Sequence, residues 1–178
     1  TEETRRFQEV CTMERLEDEV QSYIREYAKW AQFLYEHRKK RNASIKGLEF
    51  PYPYRKGQRD LVVAVYRSMI QGRNLFIQAP TGIGKTLSTV FPSVKAVGEG
   101  WADKIFYLTA KTITRSVAQE SFQILRARGM DLSSVTITAK EKLCAAEEME
   151  CNPAACERAK GHFDRVNEAV YRLLESGD

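Results

Sequence analysis

The 178-residue sequence holds no long hydrophobic run: its apolar stretches, such as those at 61–65 and 75–77, are only a few residues long. Roughly 20 consecutive apolar residues are needed to cross a bilayer, so no membrane-spanning helix is expected. The opening Thr1-Glu2-Glu3-Thr4-Arg5-Arg6 leads into a charged, amphipathic segment rather than the apolar core of a secretory leader, and a cytoplasmic address is the expectation. A disulfide framework is lacking as well. Of the four cysteines, Cys144, Cys151 and Cys156 crowd into 13 residues while Cys11 stands alone, a distribution that points to metal chemistry instead. Charge of one sign is scarce: 28 basic against 24 acidic residues leave a net +4, which permits nucleic-acid binding without arguing for it. There is no internal repeat and no low-complexity tract.

Glycine and proline are absent between Glu3 and Arg41, and Val20, Tyr23, Ile24, Tyr27, Trp30, Ala31 and Leu34 recur at the spacing of one helical face. The segment reads as one long helix or two, its aromatic stripe as a docking face. The basic run at 37–41 suits a solvated helix C-terminus, with DNA phosphate as its alternative contact. Two prolines and three aromatics at 50–54 then forbid a helix, and periodicity resumes from Gln58 to Ile70 before Gly72 stops it. Short apolar runs at 74–78, 104–109 and 134–138 alternate with helix-like segments, which predicts a parallel α/β sheet.

Between the first of these runs and the next helix lies Ala79-Pro80-Thr81-Gly82-Ile83-Gly84-Lys85-Thr86. The glycines allow backbone conformations and close approach that a side chain would block, so that successive N–H groups can surround phosphate oxygens. Lys85 is placed to bridge the outer phosphates and Thr86 to offer its hydroxyl to Mg²⁺, at the positive end of a helix from about Lys85 to Val97. Thr81, Gly82, Ile83 and Gly84 complete the candidate ATP cradle, and Lys85 and Thr86 are the candidate catalytic residues. Ala79 stands where the general pattern has its first glycine.

The form A-x-T-G-x-G-K-T resembles motif I of superfamily 2 helicases. The preceding Phe50-Pro51-Tyr52-Pro53-Tyr54-Arg55-Lys56-Gly57-Gln58 is similar to the adenine-recognising Q motif of the XPD/DinG family of iron–sulfur DNA helicases. In that likeness Gln58 pairs with the adenine edge through its amide donor and acceptor, and Arg55 packs around the base. Tyr107-Leu108-Thr109-Ala110-Lys111-Thr112 resembles the family's motif Ia, which makes Thr109, Lys111, Thr112 and Ser116 candidate contacts to the backbone of single-stranded DNA. The stretch from Thr138 to Cys144 looks like the entry into the family's iron–sulfur domain. By that resemblance Cys144, Cys151 and Cys156, spaced C-x6-C-x4-C, are three of the four ligands of a [4Fe-4S] cluster, with the fourth expected beyond residue 178. Zinc is the rival, since the same cysteines and His162 make a legitimate tetrahedral set.

The resemblance implies an N-terminal helical extension over 1–47, the first part of a RecA-like motor domain over 48–140, and the beginning of an iron–sulfur domain over 141–178. It further implies an ATP-dependent helicase moving 5′ to 3′ on single-stranded or forked DNA. The acidic DEAH-type motif and the second motor domain are expected in the remainder of the same polypeptide, so residues 1–178 by themselves are expected to be inactive. Two other classes remain: a non-motor P-loop ATPase with a structural zinc knuckle, and a nucleotide-dependent binding module without catalysis.

Overall fold

The computed structural model describes residues 6, 8–109, 112–146 and 149–176. They form five α-helices, α1 (Met13–Lys46), α2 (Gln58–Ile70), α3 (Lys85–Gly98), α4 (Thr112–Arg126) and α5 (His162–Ser176), with a single 3₁₀ turn at Lys140–Lys142. The chain divides into two compact units, Thr1–Asp131 and Leu132–Asp178.

In the first unit α3 is the centre, with α1, α2 and α4 all packed against it. Its sequence explains why: Val90, Phe91, Val94, Ala96 and Val97 are buried, so α3 is apolar over much of its circumference. Val62 and Val65 from α2, Ala118 and Leu125 from α4, and Ile45 and Leu48 from the end of α1 complete the core. Pro92 is buried inside α3, where it lacks the N–H that would bond back to Ser88.

The single helix α1 begins at Thr12, whose hydroxyl accepts the N–H of Arg15 at 3.3 Å as an N-cap. Its far end is tied down by charge and shape together. Lys95 Nζ donates to the carbonyls of Lys46 (2.9 Å) and Ile45 (3.3 Å) at the end of α1, the latter also accepting the Leu48 N–H at 3.0 Å. Lys40 pairs with Asp131 at 2.8 Å, and the hydrogen bond to that carboxylate, with its charge, raises the lysine above its ordinary pKa. Gly98 allows α1 to approach closely: a Cβ there would stand 2.3 Å from Ile45 Cγ2.

The expected parallel sheet, and with it a RecA-like α/β core, is not found. Among the described residues there is no strand, and 74–78, 104–109 and 134–138 run as irregular segments without a ladder. Their apolar side chains face solvent, with Phe76 96%, Leu108 87% and Ile137 85% exposed. A short apolar run signals extended backbone, but a sheet exists only where a neighbouring backbone supplies the hydrogen bonds, and periodicity carries no information on that partner. The fold is helical.

Candidate nucleotide-binding site

The loop at 79–86 lies directly before α3, and its shape follows from its glycines. Gly82 has φ +85° and Gly84 φ +79°, both in the left-handed region that side chains disfavour. Gly84 is the N-cap of α3 and has no side chain to offer, so the helix starts with open donors. Ser88, fully buried, holds the first turn in place: its N–H and its hydroxyl both donate to the Gly84 carbonyl, at 3.0 and 2.9 Å. Sequence reasoning missed Ser88. A lone serine in an otherwise apolar helix face was the signal for it.

Three side chains then fix the loop's carbonyls. Lys85 Nζ donates to Ala79 O (3.0 Å) and Pro80 O (2.9 Å), Arg55 Nη1 donates to Gly82 O, and Gln58 Nε2 donates to Ile83 O at 2.9 Å. With the carbonyls held by side-chain donors, the N–H groups from Gly82 to Leu87 have no backbone acceptor among the described residues. Six consecutive N–H donors ending in a helix N-terminus form a cradle for an anion. The residues therefore suit a nucleotide's phosphates.

Gln58 begins α2 right after Gly57, which has φ +75°. It is buried, and its Oε1 accepts the N–H of Arg55 at 3.0 Å. The aromatic segment ahead of it is docked: Phe50 stacks on Tyr54 with ring centroids 4.4 Å apart and meets Phe91 of α3 edge-on at 5.4 Å. Arg128 after α4 donates to Pro51 O at 2.7 Å. Thus the structure brings together Arg55, Gln58 and the phosphate loop, which are separated in the chain, and it uses both ends of the Gln58 amide to do so.

The other candidate residues are more scattered. Thr109 ends an irregular segment and Ser116 lies exposed in the second turn of α4. Lys111 lies outside the described residues, as does the side chain of Thr112. Thr86 is half-buried in the first turn of α3.

In the second unit the cysteine loop is built by local hydrogen bonds. Asn152 Oδ1 accepts the N–H groups of Ala154 (2.9 Å) and Ala155 (2.8 Å), and the Cys156 N–H donates to Asn152 O at 3.0 Å, so Asn152 and Pro153 form a side-chain-supported turn. A hydrogen bond to Cys151, then its charge and those of Cys144 and Cys156, hold the Lys140 ammonium above its ordinary pKa. Even so, among the described residues no three of His, Cys, Asp and Glu are gathered closely enough to hold a metal ion. The zinc set of these cysteines with His162 is thus not gathered around one ion. The ring of His162 instead meets Phe163 edge-on at 5.3 Å.

Residues 56–156, which contain the loop, Gln58 and the cysteines, match the DEAD/DEAH box helicase family. A probable ATP-dependent helicase of Methanocaldococcus jannaschii is 40% identical over 47 residues, 26% of this chain and 7% of that relative. The match spans a small part of the relative's length. No solved structure matches the chain. Among the described residues no helix is long and apolar enough to cross a membrane.

Proposed function

The chain belongs to the DEAD/DEAH box helicase family, and from that premise we propose that it is the ATP-binding part of a DNA helicase of the DinG/XPD type, moving 5′ to 3′ on single-stranded or forked DNA. The observation that carries this reading is the cradle at 82–87, in which Arg55 and Gln58 engage the carbonyls of Gly82 and Ile83 and Lys85 those of Ala79 and Pro80 just before it, while the N–H groups stay open at the start of α3.

Phosphate oxygens accept the loop N–H groups, and the Lys85 ammonium exchanges Ala79 O and Pro80 O for the outer phosphates. Mg²⁺ would be held at the Thr86 hydroxyl and supplies charge neutralisation at the phosphates. Gln58 retains one N–H and one Oε1 lone pair beyond its bonds to Ile83 and Arg55, enough to pair with the donor–acceptor edge of adenine. Thr109, Lys111, Thr112 and Ser116 contact the DNA backbone, a sequence-independent grip suited to a motor. The acids that orient the attacking water come from another part of the polypeptide. The cluster component of this reading rests on the cysteine spacing and the resemblance alone.

The test is titration calorimetry with Mg-ATP and Mg-GTP on this chain, beside ATPase assays of the longer polypeptide with and without single-stranded DNA. ATP binding in preference to GTP, together with DNA-stimulated turnover, is expected. Failure to bind ATP, or turnover indifferent to DNA, overturns the proposal.

A further inference from the structure

Residues 50–57 carry Arg55 and lead into Gln58, the two side chains that hold the carbonyls of Gly82 and Ile83. The segment belongs to no helix, and its two prolines, Pro51 and Pro53, have no N–H to give. Where it is anchored therefore decides where Arg55 and Gln58 stand. Among the described residues one hydrogen bond ties 50–54 to the rest of the chain: Arg128 Nη2 donates to Pro51 O at 2.7 Å, across 77 positions of sequence. Ring contact supplies the other hold, through Phe50 on Phe91.

Arg128 acts from a fixed point. Helix α4 ends in a Schellman turn, in which the Met130 N–H donates to Leu125 O (3.2 Å) and the Gly129 N–H to Arg126 O (2.9 Å), with Gly129 at φ +95°. Leu125 and Met130 are 0% and 4% exposed, so the turn is seated in the core. The Arg128 backbone is held there while its guanidinium reaches Pro51, a buried residue. Beyond Pro51 the chain is stiff. The prolines restrict their own φ and the residues before them, and the Phe50–Tyr54 stack closes the turn on itself immediately before Arg55. A shift at Pro51 is therefore carried to Arg55 and Gln58 instead of being absorbed between them.

We propose that Arg128 is a positioning residue for the nucleotide site. By fixing Pro51 it sets Arg55 and Gln58 against the loop carbonyls, and through them it governs the affinity for ATP and the preference for ATP over GTP. This rests on the nucleotide-binding reading of the loop at 79–86.

The experiment is titration calorimetry of Mg-ATP and Mg-GTP on the 178-residue chain and on its Arg128→Met and Arg128→Lys variants, with thermal unfolding and circular dichroism alongside. Methionine keeps much of the aliphatic stem and removes the donors; lysine returns one donor. Arg128→Met should weaken ATP binding by roughly three- to tenfold and shrink the ATP-to-GTP ratio, and Arg128→Lys should recover most of both. A merely structural arginine would lower the melting temperature and leave the ratio alone. If Arg128→Met loses helix content, Arg128→Gln, polar but shorter, takes its place with the same expected losses. An unchanged ratio in the variant, or a lysine no better than the methionine, overturns the positioning role while ATP binding by the wild type stands. A wild-type chain that binds no ATP, or binds GTP as well, overturns the nucleotide reading itself and this proposal with it.

Discussion

The Nε2 atom of Gln58 occupies the space in which a side chain on Gly84 would begin: a Cβ at residue 84 would stand 2.7 Å from it. The glycine thus answers to two constraints at once, its left-handed φ of +79° and the amide packed against it. Gly84→Ala is expected to destabilise the chain by about 1–3 kcal/mol and to lower ATP affinity, read by thermal unfolding and calorimetry. Gly82→Ala, with nothing within 4 Å of its Cβ, carries the backbone strain alone and should cost less. Combining Gly84→Ala with Gln58→Ala should restore the steric part, so the two changes should be non-additive.

Gln58→Ala by itself leaves the Arg55 N–H and the Ile83 carbonyl without their partners. Unpartnered groups of this kind cost about 1–3 kcal/mol. Selectivity for ATP over GTP should flatten in parallel. A variant that keeps both its melting temperature and its ATP preference would show that the amide neither braces the loop nor reads the base.

Lys85→Ala removes the ammonium that spans Ala79 O and Pro80 O. Those carbonyls sit on an exposed loop where water replaces the donor, so the melting temperature should change little. Nucleotide affinity should fall by about tenfold or more, the equivalent of losing a charge-assisted contact of about 1.5–3 kcal/mol. Calorimetry on the variant distinguishes a phosphate ligand from a merely structural lysine.

Gly98→Ala drives a methyl group into Ile45, which is fully buried beneath the end of α1. Overpacking of this kind costs about 1–3 kcal/mol. Ile45→Ala made together with it should recover part of the loss, as measured by denaturant unfolding. Additive losses would place the strain elsewhere.

Alkaline pH should loosen the junction of α2 and α3. The Tyr66 phenol donates to the Glu99 carboxylate, and that hydrogen bond, with burial and the charge on Glu99, raises the phenol above its ordinary value. The protonated form is the one favoured by folding. Its contribution is complete below the unfolded tyrosine pKa of about 10 and is lost as pH rises through the higher folded value. Tyr66→Phe should remove this part of the pH dependence, visible as a flatter unfolding midpoint between neutral and alkaline buffer.

Local chemistry carried much of the outcome. Gly82, Gly84 and Lys85-Thr86 marked a loop with left-handed glycines opening a helix, and α2 and α3 begin at Gln58 and Lys85 where periodicity and glycine placed them. Such features depend on dihedral freedom and on side chains a few residues apart, so the sequence alone determines them. It could not determine partners. The apolar runs at 74–78 and 104–109 looked like strands, yet strand pairing depends on a second backbone, and among the described residues none pairs with them. Cys144, Cys151 and Cys156 had a ligand's spacing, but spacing along the chain does not gather them with His162 around a single ion. Tertiary structure alone decided that Gln58 and Arg55 would hold the carbonyls of Ile83 and Gly82, about 25 residues away in the chain, because only folding sets α2 beside the start of α3.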